Sequence, residues 1–399
     1  MLPRTRWLVL RLGSAQTLAW ASSYYLPAML ADAMAAELAM SSTRVWLGFS
    51  LALGVSALLG PASGRAIDRH GGRRVLTGSS LLFAAGLATL GLAPNSTVLM
   101  LGWLVLGVAM GGGLYDAAFA ALVRLHGQAA RPAITGITLL AGFASTVGWP
   151  LSAWMAHTWG WREACLAWGG LHLLLGLPLN ASLPTTAAPE PQRQTPSAAG
   201  TTIRAGPATA ASPRPTASPM WVGAALAYVF AATWFVSTAM AAHLPALLMA
   251  HGATLSGAVA TAALVGPAQV AGRLAEYGLM RRHHPLWSAR LAATAHPVGA
   301  LAWLALGPLA SPLFAVLHGG GNGILTIAKG TLPLALFGPQ GYGARQGWIM
   351  APSRVAQAFA PLIFGACVAR WGAQAMWLST ALGLSALAVL CRLRDRPAR

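Results

Sequence analysis

The chain has 399 residues, of which 56% are hydrophobic and 9% charged, with a formal net charge of +18. A water-soluble globular domain carries about 25% charged residues, so the composition excludes an ordinary soluble enzyme or binding module. Its apolar residues fall in runs of about 20, the length of a helix spanning a ~30 Å hydrocarbon layer, whereas a β-barrel needs strands of ~10 residues with alternating polarity.

Twelve such runs are expected as helices, so the fold class is all-α, a polytopic membrane protein. In chain order they cover 7–30, 45–64, 75–92, 98–123, 133–157 and 164–183, then 221–249, 255–275, 286–306, 312–337, 348–369 and 376–390. Glycines and prolines inside them are tolerated at membrane depth. The first run follows Arg4 and Arg6 and precedes Ala31-Asp32-Ala33, which together have the outline of a signal peptide. Its apolar stretch exceeds the 7–15 residues of a signal core, so it is expected to remain as the first span.

Between the sixth and seventh runs, residues 184–219 are rich in Pro, Ala, Ser and Thr, with Arg193, Arg204 and Arg214 as the basic groups. Such a segment buries no core and is expected to be a flexible linker. It divides the chain into an N-terminal six-helix bundle, 1–183, and a C-terminal one, 220–399. These halves repeat. Gly64, Arg65, Asp68, Arg73 and Arg74 match Gly272, Arg273, Glu276, Arg281 and Arg282, each pair 208 positions apart. Gly111-Gly112-Gly113 and Gly319-Gly320-Gly321 keep that offset, while Leu26-Pro27-Ala28 recurs as Leu244-Pro245-Ala246 and Trp159-Gly160 as Trp371-Gly372. Parallel repeats about an axis along the membrane normal are one architecture of alternating-access carriers.

With the N-terminus inside, 21 of the 26 cations fall on one side: at the start, the 2–3, 4–5, 8–9 and 10–11 loops, the linker and the tail. Arg44, Arg162 and Arg370 lie opposite, and Lys329 and Arg354 lie within runs. This is the positive-inside bias, so both termini and the linker are expected in the cytoplasm. The basic face then meets anionic lipid head groups, and nucleic acid is not an expected partner. Cys165, Cys367 and Cys391 are scattered and show neither metal spacing nor a disulfide framework. His283-His284 sits in a loop, and His296 and His318 lack companions at ligand spacing, so no metal or cofactor is implied.

The strongest local signal is Gly64, Asp68, Arg69, Gly71, Arg73 and Arg74 between the second and third runs. It resembles the loop signature of the major facilitator superfamily. The resemblance covers the whole chain: twelve spans, the 6+6 repeat, the central linker and a degenerate second copy carrying Glu276. It implies the 12-helix fold of that family and a secondary transporter, expected as a monomer in a bacterial-type inner membrane. It also implies that this cluster latches the cytoplasmic gate when the carrier is open outward. Gly64 permits close helix packing, and Asp68 is placed to meet arginines or a helix N-terminus. A charge cluster that merely fixes topology is the alternative. Gly142 to Pro150 in the fifth run resembles, in part, the glycine–proline motif of proton-driven exporters, though a packing kink explains it equally well.

Charges at membrane depth normally face a cavity or a partner. Asp116 is the acidic residue deep in a run, Lys329 is the chain's one lysine, and Arg354 interrupts the eleventh run. They lie about eight to eleven residues from the cytoplasmic ends, roughly 12–17 Å deep and near mid-bilayer. By the family's arrangement, helices one, four, seven and ten line the cavity, which sets Asp116 and Lys329 on facing walls. A structural Asp116–Lys329 ion pair remains the alternative. Gln16, Trp20, Tyr24, Tyr25, Trp234 and His243 are candidates to complete a substrate site, although each by itself also reads as packing. Two cations against one carboxylate favour a small organic anion such as a monocarboxylate, with protons as a coupling partner at Asp116. A proton-driven exporter of drugs or amphiphiles is the alternative, and an intramembrane enzyme would need a Ser/His/Asp set or a metal cluster that the runs do not contain.

Overall fold

The structure, a computed structural model, describes residues 3–185, 219–280 and 282–394. From 186 to 218 the expected linker lies outside the described residues, with Arg193, Arg204 and Arg214; so does Arg281 of the second basic cluster. In hydrocarbon every backbone N–H and C=O must find a partner within the protein, and a helix supplies one for each residue. Among the described residues there is no strand.

The N-terminal helices are α1 (Pro3–Ser22), α2 (Pro27–Glu37), α3 (Ser42–His70), α4 (Gly72–Gly91), α5 (Ser96–Gly113), α6 (Tyr115–His126), α7 (Arg131–Leu140), α8 (Ala144–Thr158), α9 (Trp161–Leu171) and α10 (Leu177–Ala181). After the linker come α11 (Pro219–Ala250), α12 (Leu255–Ala263), α13 (Val265–Ala275), α14 (Pro285–Leu306), α15 (Ser311–Phe337), α16 (Tyr342–Trp371) and α17 (Met376–Arg392). Each of the twelve expected runs lies on these helices. Among the described residues, seven helical segments have the length and hydropathy of a membrane span. Three of them, Ser96–Thr158, Pro285–Phe337 and Tyr342–Arg392, are each interrupted by a glycine of positive φ: Gly127, Gly307 and Gly372. Two expected runs meet at each of these glycines. The first and eighth runs are not among these seven: α1 is 20 residues long but carries Arg4, Arg6 and Arg11 and ends at Ser22 before α2, and the eighth breaks at Leu264 between α12 and α13.

The repeat has a packing basis. Gly160 and Gly372, each following a tryptophan, both adopt positive φ, 105° and 56°, a conformation that a Cβ strains. Gly111 lies against Ser56 and Leu59 of α3, and Gly113 against Ser79 and Phe83 of α4. In the second half Gly319 lies against Val265 and Ala268 of α13, and Gly321 against Ala292 and Ala295 of α14. Both glycine triplets let one helix approach two others closely, as small residues do in membrane bundles. The repeat is looser at its prolines: Pro27 starts a new helix, whereas Pro245 stays inside α11.

Buried apolar side chains from residues 8–183 form one cluster around Phe83, Trp103, Phe119 and Trp168, joined by Leu334 and Tyr342. Residues 225–393 form two more, around Phe230 and around Trp303. Leu58, Leu174 and Leu362 are among many large apolar side chains left exposed. In water such a coat is an aggregation hazard, and in a bilayer it is the contact surface.

Candidate functional site

The glycine triplet ends α5, Leu114 is extended, and α6 starts at Tyr115, so Asp116 stands in the first turn of a helix. A carboxylate is favoured there by the helix dipole. Arg354 of α16 donates from Nη2 to Asp116 Oδ2 at 3.0 Å, and the side chains are only 5% and 16% exposed. Gln346, about two turns earlier on α16, donates from Nε2 to Asp116 Oδ1 at 3.3 Å and to the Lys329 carbonyl at 3.1 Å. α6, α15 and α16 are thereby tied together. The partner of Asp116 is therefore Arg354 and not Lys329, which corrects the structural pair considered from the sequence.

Lys329 is buried and makes no ion pair among the described residues. Its Nζ sits in a box of four rings: Trp234 at 4.7 Å, Tyr115 at 5.1 Å, Trp20 at 5.9 Å and Phe119 at 6.0 Å from the ring centres. Aromatic faces attract a cation through their quadrupole, by about 2 kcal/mol when it is desolvated. Both halves build the box, with Trp20 from α1, Tyr115 and Phe119 from α6, and Trp234 from α11. Sequence reading missed Tyr115 and Phe119, although their i, i+4 spacing around Asp116 puts them on one helix face.

A third cation was also misplaced. Arg273 belongs by sequence to the 8–9 loop cluster, yet it is 6% exposed, and its Nε and Nη1 are buried without hydrogen-bond partners. It is within electrostatic range of Tyr25, Tyr115 and Lys329. Gly142 of the fifth run leaves the space beside Arg273 Nη1 that a Cβ would fill. On Arg354, Nη1 is likewise buried and unpartnered.

The remaining candidates divide. Gln16 is buried and donates from Nε2 to the Gly113 carbonyl at 2.6 Å, beside the break that presents Asp116, and its Oε1 has no partner. Tyr24 reaches Thr238 of α11 at 3.5 Å, linking the halves, and its ring packs with those of Trp20 and Tyr25. His243 does not join the group: its Nε2 is 2.8 Å from the Pro361 carbonyl on α16. His296 and His318, which by sequence lack companions, are each other's partner at 2.9 Å.

At the basic end of the bundle, Asp68 accepts the Gly343 N–H on Oδ1 at 2.9 Å and the Ala344 N–H on Oδ2 at 2.8 Å. Those are N2 and N3 of α16, whose N-cap is Gly341, so the carboxylate of one half caps a helix of the other. Arg124 donates to the Asp68 carbonyl. Arg69, Arg73 and Arg74 are exposed and form no ion pair with Asp68, which takes the helix terminus instead. Approach is possible because Gly60 and Gly64 of α3 cross Gly343 and Gly347 of α16 backbone to backbone. The repeat supplies a second acidic contact between the halves, here to a side chain instead of backbone amides. Glu276 is buried and pairs through Oε1 with Nη2 of Arg131, the first residue of α7, at 2.8 Å. Arg131 also donates to the carbonyls of His283 at 2.6 Å and Met280 at 3.2 Å. Each half thus places an acidic side chain on the first turn of a helix in the other.

Residues 12–328 match the family model described as Major Facilitator Superfamily. An uncharacterized 38 kDa protein in the 23S RNA operon of Thermoproteus tenax is 29% identical over 358 residues, 88% of this chain and 86% of that protein. A multidrug resistance protein B homolog of Mycobacterium tuberculosis is 38% identical over 119 residues, 29% of this chain and 21% of that one. Among solved structures, the crystal structure of the human organic anion transporter MFSD10 (TETRAN) superposes with a TM-score of 0.71 at 16% identity, covering 97% of this chain and 100% of that one. The proton:xylose symporter XylE bound to 6-bromo-6-deoxy-D-glucose gives a TM-score of 0.74 at 13% identity, covering 98% and 95%.

Proposed function

The chain belongs to the major facilitator superfamily, whose members are transporters rather than enzymes, and on that premise we propose that it carries a small organic anion of the monocarboxylate kind by alternating access. One observation carries the reading: a buried lysine that forms no ion pair among the described residues, held in an aromatic box beside Arg273 and Arg354, both with unpartnered N–H groups. Asp116 offsets one of these three cations. A carboxylate entering here meets Lys329 as a point charge and the guanidinium groups as directional donors, while the rings accept its apolar body. The substrate of MFSD10 named with its structure is of the same class.

In this reading residues 1–183 and 220–399 are the two rocking units, and the Asp68 and Glu276 contacts latch the basic side. That side is cytoplasmic, with both termini and the linker, because by sequence 20 of the 26 cations gather there once the buried Arg273 is set aside; the membrane is the inner membrane of a bacterial-type cell, and the carrier acts as a monomer. Reporter fusions at residue 200 and after Arg399 test the topology, and an external signal from either one refutes it. Protons serve as coupling ions at Asp116, which must change its hold on Arg354 as the halves move. Accumulation driven by a pH gradient in Asp116→Asn argues against that role.

A thermal-shift series on the purified full-length protein tests the substrate class, because a ligand that binds the folded state raises apparent stability by mass action. Lactate and benzoate are expected to raise the midpoint, and Lys329→Gln and Arg273→Gln to abolish the rise. A second reading, export of aromatic or amphiphilic solutes, is favoured by the ring box and by the stretch similar to the multidrug resistance protein homolog. A rise with tetraphenylphosphonium and none with the carboxylates selects it.

A further inference from the structure

His296 of α14 and His318 of α15 meet through their Nδ1 atoms at 2.9 Å, in a part of the second half that the anion site does not use. Both rings are buried, and the free ring nitrogen of His296, Nε2, has no partner. Phe314 lies parallel to His318 at 5.6 Å and edge-on to His296 at 5.4 Å. A small cavity of about 30 Å³ adjoins the pair, lined by Thr233 and Val236 of α11 and by Asn322 and Leu325 of α15. Among the described residues, no Asp, Glu, Lys or Arg lines it. Val265 and Ala268 of α13 pack beside Gly319, next to His318, and Gly383 of α17 faces His296.

This chemistry admits one proton and refuses a second. In the neutral pair one Nδ1 donates its hydrogen and the other accepts it. A single added proton goes to a free Nε2 and leaves the Nδ1–H···Nδ1 bond intact, as an imidazolium–imidazole pair with the charge next to the Phe314 ring. A second would turn both Nδ1 atoms into donors facing each other at 2.9 Å and break the bond. With no carboxylate lining the cavity, a charge on the pair is uncompensated while the cavity is closed, and water entering the cavity relieves that cost. Occupancy is therefore tied to the opening of the second half.

We propose that His296 and His318 form a binding site for a single shared proton, distinct from Asp116. Its role in coupling rests on the carrier reading above; its existence does not. Lys329 lies on α15 eleven residues beyond His318, about three helical turns and nearly the same face. Gly319, Gly320, Gly321 and Gly323 lie between them, so a change at the pair reaches the aromatic box through the most deformable part of that helix.

The test is nitrogen NMR of 15N-histidine-labelled full-length protein in nanodiscs, titrated from about pH 8 to about pH 4 with no solute present. Of the ten histidines, two are expected to move together through one cooperative protonation. Either His296→Gln or His318→Gln should remove both signals from that step. Rings that titrate independently, or that both stay neutral to the acid limit, overturn the proposal, and this result needs only the wild-type protein should a variant fail to fold. Lactate-induced stabilisation retained in the two variants separates loss of the proton site from failure of the carrier reading.

Discussion

Asp116 Oδ2 lies 3.0 Å from Arg354 Nη2, although the two residues stand 238 positions apart in the chain. One comes from each half, and both are largely withdrawn from solvent. Removing one partner of such a pair strands a buried charge, at a cost of about 3–5 kcal/mol, whereas removing both costs less. Asp116→Asn and Arg354→Gln should each lower the thermal unfolding midpoint in detergent, and the double variant should regain much of the loss. Asp116→Asn/Lys329→Gln should regain less, because Asp116 acts on Lys329 through space without a hydrogen bond. Recovery in that second double variant, and not the first, would show the pairing to be wrong.

Asp68 holds two amides at the start of α16. Hydrogen bonds to a charged group contribute about 1.5–3 kcal/mol each, and an Asn side chain can replace only one, without the charge. Asp68→Asn should shift the conformational balance at least about tenfold toward the form open on the basic side and sharply reduce flux. Alkylation of a Ser63→Cys reporter, in a background free of Cys165, Cys367 and Cys391, measures the shift. An unchanged alkylation rate with near-normal flux leaves the cluster as a topology signal alone.

The crossing of α3 and α16 depends on missing side chains. A Cβ on Gly64 would overlap the Gly343 backbone, whereas one on Gly54, on the same helix, meets nothing within 4 Å. Gly64→Ala should therefore prevent closure and speed alkylation of the same reporter, with Gly54→Ala as wild type. Equal behaviour of the two variants would count against the crossing.

Outside the spans, the Arg162 guanidinium donates to Glu37 at 2.7 Å, joined by the Trp161 indole, and holds the Glu37 carboxyl below its usual range. A depressed folded-state value stabilises above the unfolded value of about 4.3, and that contribution is lost as pH falls through the folded one. The thermal midpoint should fall in acid below that range, and Glu37→Gln should flatten this part of the curve. The change should be small, because Glu37 is half exposed. An identical acid slope in the variant would assign the loss to other carboxylates.

The local features are legible in the amino-acid sequence by itself. Hydropathy runs, the glycines after Trp159 and Trp371, and the Gly64–Asp68 spacing depend on residues close in the chain, and the membrane narrows the backbone to helix. Asp116, Lys329 and Arg354 stand out because charge in an apolar run is costly wherever it points. Which groups they meet is a different question. Asp116 could have chosen Lys329 or Arg354, Asp68 could have taken its neighbouring arginines or a helix end, and Arg273 reads from its neighbours as a loop residue. The rings around Lys329 come from three helices in two halves, and His296 and His318 share no ligand spacing. Partner choice among residues far apart in sequence follows from helix rotation and close glycine crossings. Those are properties of the packed bundle, and only the tertiary structure decided them.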